Sequence, residues 1–236
     1  MGSFVLVHSP AVGPGTWVPV ARVLQAQGHD AVVPDLRHVA DGPPPYWPAA
    51  AATVGESVDQ LDGDDPVVLV AHSNAGLLLP CVAAASPRPV RAAVYVDAAL
   101  PARPGPSAAA PPGLLEMMRG MADQRGLLPR WTDWWEPEDV AALLHDPVQR
   151  AAMVAEQPRL PLAYYEQLLP VPETWWGVPT AYLRLSEAYD EELDQARRDG
   201  WPTAAMEGHH LHQLVDPVGV ADAVLDLAVQ ASAAWS

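Results

Sequence analysis

Val67-Val68-Leu69-Val70-Ala71-His72-Ser73-Asn74-Ala75-Gly76 passes from five apolar residues into a His-Ser-Asn turn that has alanine two positions before and two after the serine. A short apolar run bounded by a turn reads as a strand buried on both faces, and the residues after Asn74 are compatible with a helix. A strand, sharp turn and helix in that order lift a serine hydroxyl off the end of a sheet. They also bring the backbone so close to itself that only small side chains fit on either side. Ala71 and Ala75 satisfy that requirement, although the literal G-x-S-x-G pattern is missing. A plain reading remains beside it, a buried strand followed by an ordinary serine-containing turn.

The neighbouring segments extend the alternation. Residues 4–7 form an apolar strand that ends in His8-Ser9-Pro10-Ala11-Val12-Gly13-Pro14-Gly15, a loop dense in turn formers, and residues 17–27 carry apolar side chains at helical spacing. Gly28 closes that helix, and residues 31–33 read as the next strand, ending at Pro34-Asp35. Further apolar strands fall at 92–96, 181–185 and, more weakly, 203–206, and residues 218–231 form a closing helix. Strands alternating with helices predict a mostly parallel sheet of about six strands covered on both faces.

Composition narrows the function. The 236 residues are half apolar, which suits one α/β domain with a sizeable core. No apolar run reaches the ~20 residues of a membrane span, and the amino terminus lacks the basic and apolar regions of a signal peptide. A cytoplasmic location is the expectation. A formal charge of −16 argues against nucleic acid and acidic membranes as partners; the partner expected is a small-molecule substrate. The sequence contains no lysine, which removes Schiff-base chemistry and the phosphate-cradling G-K-[ST] loop, and no G-x-G-x-x-G follows a strand. No cofactor is expected. Cys81 is the single cysteine, so no disulfide forms within the chain, and its place eight residues after Ser73 puts it in the helix that follows the turn.

Five segments in order carry a resemblance: Val5-Leu6-Val7-His8 with Gly13 and Trp17; Gly28-His29 with Pro34-Asp35-Leu36; the Ser73 turn; Val94-Tyr95-Val96-Asp97 with Leu100-Pro101; and His210 with Asp216-Pro217. Over nearly its whole length the chain resembles an α/β-hydrolase, specifically the small group of plant methyl-ester esterases and hydroxynitrile lyases. The resemblance makes the Ser73 turn a nucleophile elbow. It divides the chain into a core of residues 1–101 and 178–236 and a helical lid at 102–177, inserted after the sixth strand of the family. Within that insertion, helical patterns fall at 114–121, 138–144, 148–155 and 162–169, after a Pro-rich loop at 101–113. Trp131, Trp134, Trp135, Trp175 and Trp176 lie there. Most are expected to fasten the lid, with one or two, Trp134 and Trp135, lining an apolar substrate pocket.

His209, His210 and His212 invite a metal reading, yet neighbouring histidines on a loop point in different directions and no carboxylate sits at ligand spacing, so no metal is expected. The family pattern places the general base seven residues before Pro217, which is His210, with His209 as the fallback. His8 and His72 are expected to be structural. Ser73 would then attack an acyl carbonyl while His210 takes its proton. Of the two N–H donors an oxyanion needs, Asn74 supplies one. The second comes, in the family, from the position occupied here by Pro10, which has no N–H. Ala11 or another loop amide takes over, or the reaction has a smaller oxyanion demand.

The family's acid follows its seventh strand, but aligning Pro179-Thr180-Ala181-Tyr182-Leu183 with that strand puts Ala188 at the acid position, with Glu187 one residue away. Asp97, at the end of the preceding strand, is the preferred acid, because other members of the fold carry theirs at that point and a buried Asp needs a partner such as the His210 N–H. Glu187 is the alternative. The expected activity is cleavage of a small, largely apolar ester, thioester or lactone through an acyl-enzyme on Ser73. The alternatives are a non-hydrolytic lyase, epimerase or cyclase in small-molecule biosynthesis, or a ligand-binding pseudoenzyme. Hydroxynitrile lyases depend on a lysine that this chain lacks.

Overall fold

The computed structural model describes residues 2–233. In chain order the elements are β1 (Ser3–Val7), α1 (Val18–Ala26), β2 (Asp30–Val32), α2 (Trp47–Val58), β3 (Val67–Ser73), α3 (Leu79–Ala85) and β4 (Val90–Ala98). There follow β5 (Ser107–Ala108), α4 (Pro112–Met121), α5 (Pro137–Leu143), α6 (Pro147–Glu156), α7 (Leu162–Glu166) and β6 (Leu168–Leu169). The chain then returns through β7 (Thr180–Arg184), α8 (Asp190–Arg198), β8 (Thr203–Ala205), α9 (His212–Val215) and α10 (Pro217–Ala233). Six strands pair in the order β2-β1-β3-β4-β7-β8, and every pairing is parallel.

Parallel strands require crossovers, and the crossovers cover both faces, so strand residues alternate between two buried layers rather than between core and solvent. Phe4, Leu6, Val68, Val70, Val94, Ala181 and Leu183 pack under α1 and α10 with Trp17, Leu24, Val220 and Val224. Val5, Val7, Leu69, Ala93, Tyr95 and Tyr182 face α2, α3 and α8 on the other side. α1 ends as its sequence dictates. Gly28 adopts φ +86°, its N–H bonds to the Gln25 carbonyl, and the His29 N–H bonds to the Leu24 carbonyl, the pair of contacts that defines a Schellman cap.

Between β4 and β7 the chain leaves the sheet. Met118, Leu128, Leu160, Tyr164, Tyr165, Leu169 and Trp175 join the α2/α3 layer of the core, while Leu144 and Met153 pack on Leu211 and Leu214 just past His210. The helix expected at 162–169 stops at Glu166 because β6 pairs antiparallel with β5. The Gln167 side chain holds that corner by accepting the Tyr46 and Trp47 N–H groups at 2.9 and 3.2 Å. α2 and α8, which the sequence reading does not delimit, complete the cover on one face of the sheet. No helix among the described residues is long and apolar enough to cross a membrane.

Candidate active site

β3 ends at Ser73, whose backbone sits at φ 59°, ψ −134°, a conformation that costs a non-glycine residue about 1–3 kcal/mol and persists only where the surroundings enforce it. A short 3-10 turn, Asn74–Leu78, follows and runs into α3. The closest approach in this turn is at Gly76, where an added Cβ would lie 2.2 Å from the Ala99 carbonyl oxygen. Ala71 and Ala75 are fully buried, as small flanking residues should be. Cys81 is buried in α3, and its thiol donates to the Pro170 carbonyl at 3.2 Å.

Asp97 lies near the end of β4 with no solvent exposure. Its Oδ1 accepts the Leu185 and Ser186 N–H groups at 2.8 and 2.9 Å, and its Oδ2 accepts the Ser186 hydroxyl at 2.6 Å and His210 Nδ1 at 2.8 Å. Burial alone would raise its pKa. The hydrogen bond and charge of His210, with the Ser186 and Leu185 donors, outweigh burial and hold the carboxyl below its usual range. An acceptor on Nδ1 leaves the His210 Nε2 as the basic nitrogen.

His210 is held from three sides. His72 Nε2 donates to the His210 carbonyl at 2.7 Å, with the two rings 4.4 Å apart. The Tyr189 ring stacks flat on the imidazole at 5.0 Å and 8°. Trp131 packs at 6.2 Å. Burial, reinforced by the nearby His210, keeps His72 neutral by lowering its pKa. His8 is equally buried and its pKa falls to about 4, chiefly through loss of solvent. His8 Nε2 accepts the Leu36 N–H at 3.0 Å and Nδ1 donates to the Ser9 carbonyl at 2.8 Å, so the ring pins the start of the loop that leads to α1.

Ser73, Asn74, Ala11 and His210 line one cavity of about 530 Å³ together with Ser9, Leu114, Met118, Trp131, Trp134, Trp135 and Tyr189. Asn74 begins the helical turn, where the first N–H groups have no partner within the helix. Its side chain is committed elsewhere, donating to the Ala109 carbonyl at 2.7 Å and accepting from the Tyr164 hydroxyl at 3.2 Å. In the loop after β1, the Val12 N–H closes a turn on the Ser9 carbonyl at 3.0 Å with Pro10 and Ala11 between them, and among the described residues the Ala11 N–H has no hydrogen-bond partner. The Ser73 hydroxyl contacts the Tyr189 hydroxyl at 3.5 Å.

Other sequence candidates fall elsewhere. Glu187 is exposed and opens a 3-10 turn beyond Ser186. The chain after β7 meets Asp97 through the amides of Leu185 and Ser186, and Glu187 makes no hydrogen bond to His210. His209 is exposed as well. The described residues contain no cluster of three or more metal-ligating side chains. Three tryptophans of the inserted segment, not one or two, line the cavity. Trp175 is buried in the core, and Trp176 lies under the Arg103 guanidinium at 4.6 Å. The sequence reading misses Tyr189 and Ser186 and leaves Trp131 out of the pocket. For Tyr189 and Ser186 the available signal is their position just past the carboxyl end of a parallel strand, where open α/β sheets place their ligands.

A six-stranded parallel sheet with a strained serine turn, and a histidine-carboxylate pair at the carboxyl ends of its strands, defines the class of α/β-hydrolases. A model of the alpha/beta hydrolase family matches residues 4–223, and the chain belongs to that family. No curated protein matches the sequence. Among solved structures, an extracellular alpha/beta-hydrolase from a Paenibacillus species is similar with a TM-score of 0.75 at 18% identity, covering 96% of this chain and 99% of that one. A mutant form of tomato methylketone synthase I gives 0.74 at 15% identity over 98% and 99% of the two chains. Polyneuridine aldehyde esterase gives 0.71 at 17% identity over 97% and 99%. At these identities the likeness is one of fold.

Proposed function

We propose that this α/β-hydrolase is a serine hydrolase that cleaves a small, largely apolar ester, thioester or lactone through an acyl-enzyme on Ser73. The 2.8 Å contact between His210 Nδ1 and a fully buried Asp97, beside a serine in elbow geometry, carries the reading. Asp97 orients the imidazole and stabilises its cation, His210 removes the Ser73 proton, and Ser73 Oγ attacks the carbonyl carbon. The developing oxyanion accepts from Asn74 N–H and from Ala11 N–H, the amide left free in the loop where Pro10 has none to offer. Water then cleaves the acyl-enzyme, with His210 as its base. That the Ser73 hydroxyl rests on Tyr189 and not on His210 is compatible with this route, since catalytic hydrogen bonds often tighten only when substrate is bound.

The residues between β4 and β7 serve as the lid, because Leu114, Met118, Trp131 and Trp134 give the cavity an apolar wall suited to an acyl chain. The esterase named among the structural relatives agrees with this reaction class. The synthase, together with Pro10, keeps a non-hydrolytic reaction of the same residues as the second reading. Fluorophosphonate labelling tests the choice. Labelling of wild type but not of Ser73→Ala, with hydrolysis of short-chain p-nitrophenyl esters lost in the variant, is the expected result. An unlabelled wild type overturns the acyl-enzyme.

A further inference from the structure

Among the described residues, the Ser73 side chain has one hydrogen-bond partner, the Tyr189 hydroxyl at 3.5 Å. Tyr189 closes the 3-10 turn Glu187–Tyr189 after β7, lines the cavity with Ser73, and is fixed in plane by stacking on His210 at 5.0 Å and 8°. Burial pushes its phenol pKa above the usual tyrosine value, so it keeps its O–H proton at neutral pH. The loop after β1 is correspondingly poor in donors. Pro10 has no N–H, and the Val12 N–H is spent on the Ser9 carbonyl.

We propose that Tyr189 is a catalytic residue: its hydroxyl, resting against Ser73 Oγ, donates a hydrogen bond to the substrate carbonyl oxygen as that atom becomes an oxyanion, supplementing the loop amides. In that step the bond from Ser73 Oγ to the carbonyl carbon forms, the carbonyl π pair moves onto oxygen, and the Ser73 proton passes to His210 Nε2. Tyr189 keeps its proton and directs it to the oxyanion. Both oxygens are then bonded to the same carbon, so a donor resting against the first has to move by no more than their separation to meet the second. The stacking on His210 holds the phenol in place before the reaction, which is the preorganisation that makes such a donor effective.

The inference rests on the acyl-enzyme reading and is tested with Tyr189→Phe, which keeps the ring on His210 and removes only the donor. Turnover should fall about 10²-fold, the low end for loss of one oxyanion donor, equally for a p-nitrophenyl ester and for the ethyl ester of the same acid, with KM unchanged. Affinity for a trifluoromethyl ketone carrying the same acyl chain should fall in parallel with kcat/KM, because that ketone forms the tetrahedral adduct. A purely structural tyrosine would leave ketone affinity untouched. Unchanged turnover, unchanged ketone affinity, or a loss confined to the ethyl ester, as expected of a donor to the leaving group, would each overturn it. A wild type that fluorophosphonate does not label refutes the acyl-enzyme itself. Labelled wild type with an unimpaired Tyr189→Phe refutes only the role of Tyr189.

Discussion

Ser73 pairs across the ladder with Ala98 and not with Asp97. His72 is matched with Val96, and the register shifts by one residue at the next pair, leaving Asp97 as a bulge in β4. Asp97 and Ser73 are also the two non-glycine residues with positive φ among those described, at 45° and 59°. The bulge reverses the alternation of the strand. Val94 and Val96 belong to the α1/α10 layer, whereas Ala98 falls with Tyr95 in the opposite layer. Bulges of this kind re-aim side chains beside active sites, and here the re-aimed group is the carboxylate that meets His210.

Asp97→Asn should therefore lower turnover by up to about 10⁴-fold, since an amide can present its NH₂ to Nδ1 and select the wrong tautomer. Steady-state kinetics on one activated ester measure this. Glu187→Gln in the same assay should be silent, as Glu187 is exposed and makes no hydrogen bond to the histidine. A large loss in the Glu187 variant would move the role of the acid there.

Gly76→Ala should destabilise the fold by about 1–3 kcal/mol, the usual cost of overpacking. Its Cβ would meet the Ala99 carbonyl oxygen at 2.2 Å, Tyr95 at 3.0 Å and Ala98 at 3.1 Å. Gly120→Ala is the control. In α4 the new methyl meets nothing within 4 Å, and removing a helical glycine should add roughly 0.5–1 kcal/mol. Chemical denaturation of the two variants should show opposite shifts of midpoint.

Acid should weaken the fold through its buried histidines before the depressed Asp97 carboxyl titrates. An unfolded histidine takes up a proton below about pH 6.5, whereas buried His8 does so only below about 4. Between those values the unfolded state binds more protons, so stability rises with pH across the window and is lost as pH falls through it. His72, also lowered, adds to the slope in the same direction. The depressed Asp97 pKa contributes only further down, where stability is lost as the carboxylate is protonated. Thermal midpoints should decline from pH 7 towards pH 4, and His8→Gln should flatten that decline.

Trp134→Ala should shift acyl-chain preference more than Trp135→Ala. Trp134 is half-buried, packs against Tyr165 at 5.8 Å and is tied to the Pro129 carbonyl at 3.0 Å, whereas Trp135 is 44% exposed. A rate series over acetyl to octanoyl p-nitrophenyl esters checks this. Removing Trp134 should change the long esters and spare acetate, and equal losses at every length would mark a structural role.

The parallel sheet, the serine turn and the ends of most core elements follow from the residues alone, because local rules set them. Val67 to Ala71 is apolar enough to be buried on both faces, Gly28 suits a helix cap, and the proline-rich stretch after Leu100 leaves the sheet. Asp97 and His210, 113 positions apart, are singled out by the resemblance to the family and not by a local rule, and the structure brings them to 2.8 Å. The remaining features depend on register and on long-range packing. No local pattern announces the bulge at Asp97, since it exists only relative to β3. Nor does any local pattern show that Leu185 and Ser186 turn their amides to that carboxylate, that the short pairing of β5 with β6 ends α7, or that Tyr189 stacks on His210 with its hydroxyl towards Ser73. Most of these are relations between segments tens of residues apart, and packing, not sequence spacing, sets where such segments meet.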